Sequence, residues 1–401
     1  MKILSINTGS SSIKCTLYEM PQTKILMKGS IERIGQSPAL ISFDFGQTRR
    51  NLKRDVADYH QGVEFFLSML TARETQVLPS TDQIDVVGHR VVHGGQKFSQ
   101  AVLINDEVMS LIKEYAEFAP LHGSPNIAAI QSCQRLLPKS FNVAVFDTAL
   151  YQAIPARAYL YGLPIEMCEK QGIRRYGFHG ISHSYVAKEA SRLIGKRLEE
   201  LRIITCHLGS GASVTAFKHG KAVDTSMGFT PLEGVLMGTR PGDLDSGIII
   251  YILKHLGLNA EQLEELLNKD SGLKGLCGKS DMRDIIYLTE QGDEKARDAL
   301  DVFVYRIQKY IGAYAAVLGG IDAVVFTGGI GENSPVLRKK ILDAFGYLDV
   351  KVHEEKNLSN EAFFSTKDSS VYAMTIPANE ELAIAREAFK IVSKNQSLTE
   401  T

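Results

Sequence analysis

Four short segments set arginine or histidine beside glycine: Gly88-His89-Arg90-Val91-Val92-His93-Gly94-Gly95, Pro120-Leu121-His122-Gly123, Arg174-Arg175-Tyr176-Gly177-Phe178-His179-Gly180 and Gly238-Thr239-Arg240-Pro241-Gly242-Asp243. Glycine lets backbone approach a ligand closely, and the guanidinium fork matches carboxylate or phosphate. One such arginine alone reads as a surface ion pair; four clusters point to an anionic substrate. His179 and His183 are four apart, as are His89 and His93, a spacing that can ligate a metal on a helix. Gly180 and the lack of a third ligand make this the weaker reading. In Gly9-Ser10-Ser11-Ser12, backbone N–H groups and hydroxyls could cradle a phosphate, with Lys14 as a point charge and Asn7 as a neutral oxygen for hydrated Mg²⁺. The same four residues equally make an ordinary hairpin turn. Asp147 ends an apolar run, where working groups gather in open parallel sheets, or it caps a helix.

These groups need rigid elements to hold them. Short apolar runs alternate with helical patterns, which predicts an α/β fold. Strands are expected at Lys2–Ile6, Ile13–Tyr18, Asn142–Phe146, Leu201–Cys206 and Ala323–Phe326. Helical spacing runs from Val108 to Phe118 behind a cap at Asn105 or Asp106, from about Asp293 to a stop at Gly319-Gly320, and from Glu380 to Val392 behind Asn379. Residues 394–401 read as a frayed polar tail. The glycines of Gly328–Gly331 read as a turn that follows a strand and precedes a helix opened by Ser334-Pro335, suited to a nucleotide. Ser5–Tyr18 and Thr205–Phe217 echo each other as strand, glycine turn, strand, about half a chain apart. Singly, any Gly/Ser hairpin looks alike; paired, they suggest a duplicated domain.

Composition narrows the class. The 401 residues carry 45 basic and 46 acidic side chains, a net charge of -1, so nothing draws the chain globally to nucleic acid or an anionic membrane. Five scattered cysteines without a CxxC pair argue against a disulfide framework or structural zinc. No apolar run approaches a membrane span, and MKILSINTGSSSIK lacks the features of a secretory leader, so a cytoplasmic location is expected. GxxxxGK[ST], GxSxG and HExxH are all absent, which excludes those motif-defined enzymes.

From about Lys2 to Val392 the chain resembles the acetate kinase family of short-chain carboxylate kinases. INTGSSSIK, GHRVVHGG, VFDTAL, RRYGFHG, DTSMGFTPLEG, GTRPGDLD, FTGGIGEN and NEEL occur in the family's order. The resemblance implies two duplicated ribonuclease H-like α/β lobes (mixed sheets flanked by helices) around a central cleft, in the superfamily of actin, sugar kinases and heat-shock chaperone ATPases. It sets the first lobe at 1–147 plus 381–401, on the acyl and phosphate side. The second, at 148–380, would bind nucleotide and dimerise.

The implied reaction is reversible transfer of the ATP γ-phosphoryl group to acetate, giving acetyl phosphate and ADP, a step toward acetyl-CoA. Mg²⁺ is the implied cofactor, with Mn²⁺ as a substitute, and the implied assembly is a homodimer. By matching motif, Asn7 and Glu380 would place the metal and Lys14 would approach nucleotide phosphate. Arg90 and Arg240 would hold the carboxylate and the moving phosphoryl group. Asp147 would orient the attacking carboxylate or take its proton, and His179 would stabilise the transition state. Val92, Leu121, Phe178 and Pro231 would line the acyl pocket, with Val92 and Arg90 on one face of a strand and His122 at the phosphoryl region. His207, Leu208, Gly209, Ser210 and Gly211 would clasp phosphate, while Asp281, Met282, Arg283 and Gly329, Ile330, Gly331, Glu332, Asn333 would hold the nucleoside.

The chain departs from the family pattern at Ser210, where HLGNG has Asn, and at Gly123-Ser124, Ile181, Pro241 and Ser246; the charged set is intact. Alternatives are a propionate or butyrate kinase, or a non-catalytic nucleotide-binding switch. Arg90, Asp147, His179 and Arg240 together favour catalysis. Alanine at either arginine is expected to cut turnover while leaving the chain folded.

Overall fold

The computed structural model describes residues 1–399, apart from the side chains of 120–122 and 396–399. The chain divides into two units, Met1–Gln152 with Asn379–Thr401, and Ala153–Ala378.

The first unit is built on an eight-stranded sheet: β1 (Lys2–Thr8), β2 (Ser12–Glu19), β3 (Lys24–Glu32), β4 (Ala39–Phe45), β5 (Thr48–Arg54), β6 (Val86–Val91), β7 (Val102–Leu103) and β8 (Phe141–Phe146), in the order β5-β4-β3-β2-β1-β6-β8-β7. Strands β1 to β5 form an antiparallel meander, while β1, β6 and β8 are parallel. Ile3 to Thr8 of β1 are all buried, the continuous pattern of a strand covered on both faces. One face packs Leu4, Ile6, Leu17, Met27, Phe66 and Leu70 into a core with the helices Tyr59–Thr71 and Pro120–Leu136. Against β1 and β6 lies the last helix, Glu380–Thr399. It comes so close that a Cβ on Gly88 would sit 2.8 Å from Ile384 and 3.2 Å from Ala388, so this strand position requires glycine. At the far edge every residue of β5 is exposed, and Arg49, Arg50, Lys53 and Arg54 make it a poor template for pairing with another chain.

The second unit carries β9 (Ile203–Leu208), β10 (Ala212–Lys218), β11 (Lys221–Thr225), β12 (Ala323–Thr327) and β13 (Tyr372–Thr375), in the order β11-β10-β9-β12-β13. Strands β9 to β11 are antiparallel; β9, β12 and β13 are parallel. This repeats the pattern β3-β2-β1-β6-β8 of the first unit, strand for strand. Each first hairpin also closes on a glycine, though the second turn is one residue shorter: Gly9 N–H donates to Ser12 O at 2.8 Å, and Gly209 N–H to Gly211 O at 3.0 Å.

Three sequence expectations are corrected. The last helix runs through Thr399 instead of fraying at residue 394, because no glycine or proline follows Val392 to stop it. The glycines after β12 do precede a helix opened at Ser334-Pro335, Pro335–Leu342, but they form the short helix Gly328–Asn333 themselves instead of a turn. Strand β6 ends at Val91, so Val92 lies beyond it, its N–H held by Asn126 Oδ1 at 3.0 Å.

Candidate active site

In the first unit, four predicted residues converge at the C-terminal ends of the parallel strands. Asn7 lies at the end of β1, Arg90 at the end of β6, Asp147 just after β8, and Glu380 opens the last helix, where Asn379 Oδ1 accepts from Leu382 N at 3.1 Å. Arg90 donates from Nε (3.0 Å) and Nη2 (2.6 Å) to Asp147 Oδ2, and from Nη1 to Asn7 Oδ1 (3.1 Å). Asn7 Nδ2 donates to Glu380 Oε2 at 2.8 Å, and Glu380 lies 4.0 Å from Arg90 Nε. Burial works against the Arg90 charge, but Asp147 and Glu380 outweigh it and raise its pKa. Asp147 is engaged by this guanidinium and is buried. Lys14 stands opposite Asn7 in the β1–β2 register, and its side chain is exposed. The Gly9–Ser12 turn spends its first N–H on closing the hairpin, which is the ordinary-turn reading.

Val92 lines a small cavity with Val91, His93, Ile112, Gly123 and Asn126. Asn126 also donates to Thr8 Oγ1 at 2.6 Å, tying the 120–136 helix to the strand ends. Leu121 and His122 belong to this helix, but their side chains lie outside the described residues.

In the second unit, His179 precedes the helix Gly180–Ile194 in a left-handed conformation (φ 56°), an uncommon backbone for this residue type. Its ring stacks on that of His207, with centroids 4.4 Å apart. Gly211 faces both His179 and Arg240: a Cβ there would lie 2.6 Å from Arg240 Nη2 and 3.3 Å from His179 Nε2. Only glycine allows this approach. Arg240 is half-buried and donates from Nη1 to the Pro231 carbonyl at 2.9 Å; among the described residues no carboxylate pairs with it. Burial alone pushes its pKa down to about 10. A partly desolvated guanidinium without a counter-ion is costly unless an anion joins it. Phe178, beside His179, is buried, and Pro231 is held through its carbonyl.

The remaining predicted segments meet around the end of β9. Ser210 O accepts from Gly238 N at 3.1 Å, and Gly238 lies against Ser280, next to Asp281–Arg283. Asp281 Oδ1 accepts from Arg283 N at 2.9 Å, and its carboxylate pairs with the exposed Arg283 guanidinium. Gly328 packs so tightly on Leu208 that a Cβ would lie 2.7 Å from its carbonyl oxygen. Glu332 Oε1 accepts from Gly328 N (2.9 Å) and Ala378 N (2.8 Å), which fixes the glycine helix.

Sequence reasoning missed the supports. Arg338 is fully buried and donates to the carbonyls of Gly331 (2.9 Å) and Glu332 (2.8 Å). His183 is no metal ligand: its two ring nitrogens bond Thr205 and Ser213 hydroxyls. The available signal was polar residues at alternate positions of two otherwise apolar strands, Thr205/His207 and Ser213/Thr215.

The model of the Acetokinase family matches residues 2–386. The acetate kinase of Carboxydothermus hydrogenoformans is 49% identical over 395 residues, covering 98% of this chain and 99% of that protein. Among solved structures, Porphyromonas gingivalis acetate kinase aligns with a TM-score of 0.89 at 41% identity, over 98% of this chain and 99% of that one. A propionate kinase from Francisella tularensis aligns at 0.91 and 38%, over 97% and 99%. This chain belongs to the acetokinase family.

Proposed function

We propose that the chain transfers the γ-phosphoryl group of ATP reversibly to acetate, giving acetyl phosphate and ADP. Family membership supports the reaction, and the observation that carries the chemistry is Arg240, a half-buried positive charge that no carboxylate among the described residues neutralises. Acetate is ionised at neutral pH, so its nucleophilic oxygen needs placement and charge neutralisation more than a base. Arg90, held rigid by Asp147 and Asn7, orients the carboxylate. Arg240 and the His179 ring meet the charge on the phosphoryl oxygens. The acetate oxygen bonds to the γ-phosphorus as the bond to the β-phosphate oxygen breaks, and ADP leaves with that electron pair. No proton moves. Asp147, already engaged with Arg90, acts as a positioning group and not as a base.

Mg²⁺, with Mn²⁺ as a substitute, suits the pair Asn7 and Glu380: one amide oxygen and one carboxylate are hard ligands for an ion that keeps waters and takes phosphate oxygens. Among the described residues no group of three His, Cys, Asp or Glu side chains forms a closed metal site. When bound, the ion offsets charge on the ATP phosphates. On this reading the first unit takes acetate, Lys14 serves the nucleotide phosphates, and the second unit takes the nucleoside at 207–211, 281–283 and 329–333.

Two further assignments complete the proposal. The helix Ser246–His255 has no buried residue, although Ile248, Ile250, Tyr251 and Leu253 are 42–58% exposed. An apolar face of this kind supports a homodimer through the second unit. The cysteines are all free, four of them buried, which fits a reducing cytoplasm, and no described helix is long and apolar enough to cross a membrane. The product, an acyl phosphate, is an activated acetyl donor for acetyl-CoA formation.

The test is an acceptor panel of acetate, propionate and butyrate with ATP and Mg²⁺, the acyl phosphate being trapped as its hydroxamate. The expected order is acetate, then propionate, then butyrate. Propionate in first place would identify a propionate kinase, and nucleotide binding without hydroxamate would identify a switch.

A further inference from the structure

Beneath the first turn of the Gly180–Ile194 helix lies a polar layer in an otherwise apolar unit. In the β9–β10 register Ser213 stands opposite His207 and Thr215 opposite Thr205, so these four side chains share one face. Their neighbours Ile204, Cys206, Ala212, Val214 and Ala216 are all fully buried. His183, one helical turn beyond His179, descends into this layer and is itself fully buried. Its Nδ1 lies 2.6 Å from Thr205 Oγ1 and its Nε2 lies 2.7 Å from Ser213 Oγ. The same Ser213 Oγ lies 2.9 Å from His179 Nδ1. One hydroxyl therefore stands between two imidazoles.

A hydroxyl has one proton, so the chain of bonds has a direction. Burial, and then His207 nearby, hold the His183 pKa well below its ordinary value, so this ring is neutral and carries one N–H. Running toward His179, Thr205 O–H donates to His183 Nδ1, His183 Nε2–H to Ser213 Oγ, and Ser213 O–H to His179 Nδ1. Every proton then falls on a contact of 2.6–2.9 Å. Running the other way, the last proton falls from Thr205 on the Thr215 carbonyl at 3.5 Å, the outer limit of a hydrogen bond. The first direction is better satisfied.

We infer that Thr205, His183 and Ser213 form a one-way relay that locks His179 as the tautomer with its proton on Nε2. Resting on the proposed role of His179 in phosphoryl transfer, this makes Ser213 and His183 positioning residues for the reaction. The locked Nε2–H is the nitrogen that flanks Gly211 beside Arg240 Nη2, so a neutral donor and a cation converge on one spot. In the opposite tautomer Nε2 would offer a lone pair to the phosphoryl oxygens and repel them. Which ring nitrogen carries the proton is set by the bond made at the other, and here hydroxyls set it instead of the usual carboxylate.

The test is long-range ¹H–¹⁵N correlation on protein labelled at histidine. In the wild type, both His179 and His183 should show protonated Nε2 and bare Nδ1. In Ser213→Ala, His179 should become a mixture of tautomers, and kcat should fall by roughly 10- to 100-fold, with KM for ATP and acetate moving less than about threefold. A merely structural serine would alter stability without moving the His179 tautomer. Nδ1–H on His179 in the wild type overturns the inference whatever the variant does, and so does a Ser213→Ala enzyme with unchanged kcat. Failure of the wild type to form acetyl phosphate would instead strike the phosphotransfer reading, and the tautomer spectrum reports independently of it.

Discussion

The two site arginines have opposite electrostatic surroundings, and their variants should behave oppositely. Arg90 neutralises the buried Asp147, so Arg90→Ala strands a carboxylate and should cost about 3–5 kcal/mol of stability as well as activity. Arg240 is half-buried, partly desolvated and without an ion-pair partner among the described residues, so its charged form is disfavoured by the fold. Arg240→Met should therefore lose on the order of 10³ in kcat while raising Tm; thermal unfolding beside steady-state kinetics separates the two cases. A Tm that falls in Arg240→Met, or is unchanged in Arg90→Ala, would refute this contrast. Arginine beside glycine was visible in the motifs, but the partners were not. That Asp147 lies against Arg90 depends on β6 and β8 being neighbours, and Ser213 became meaningful only once register set it between two histidines.

At the scale of elements, the duplicated hairpins were legible because a glycine turn between two apolar strands leaves a local mark. Strands β4 and β5 were not, since β5 is wholly exposed and carries no apolar alternation. The helical character of Gly328–Asn333 was equally hidden, because glycine has little intrinsic preference for a helix and Glu332 stabilises the turn by capping it from below. Val92 was placed on β6 by alternation, yet the strand stops a residue earlier and the side chain turns into a small apolar cavity. We propose that Val92 selects the acyl group from that position. Val92→Ala should raise the propionate-to-acetate ratio of kcat/KM by about tenfold, within the 10–200-fold that one methylene is worth. An unchanged ratio would remove Val92 from the acyl pocket.

For the whole molecule, assembly and acid stability follow from exposure and burial. If the Ser246–His255 face is covered by a second copy, sedimentation should give twice the 44.2 kDa chain mass, and Ile250→Glu should give the monomer with its fold intact. A wild-type monomer at micromolar concentration would contradict the assignment. Acid should also act on the fold through buried histidine. Burial lowers the His89 pKa to about 4 despite the bond to Asn142, and pushes His93 down to about 3. Their folded pKa values lie below the unfolded value near 6.5, so the unfolded chain takes up protons first as pH drops. Stability is thus fully present above about pH 6.5 and is lost on descending toward 4, by about 1.4 kcal/mol per pH unit for each histidine. Urea unfolding at pH 7.5, 5.5 and 4.5 measures the slope, and His89→Gln should flatten it.

In the proposed reaction an acetate oxygen becomes bonded to the phosphorus that ATP supplies. Incubating the enzyme with ATP, Mg²⁺ and acetate labelled with ¹⁸O in its carboxylate, and recording the ³¹P spectrum of the acetyl phosphate formed, tests this in one experiment. A phosphorus resonance displaced by ¹⁸O in the bridging position is the expected outcome. Acetyl phosphate with an undisplaced resonance, or no acetyl phosphate at all, would contradict it.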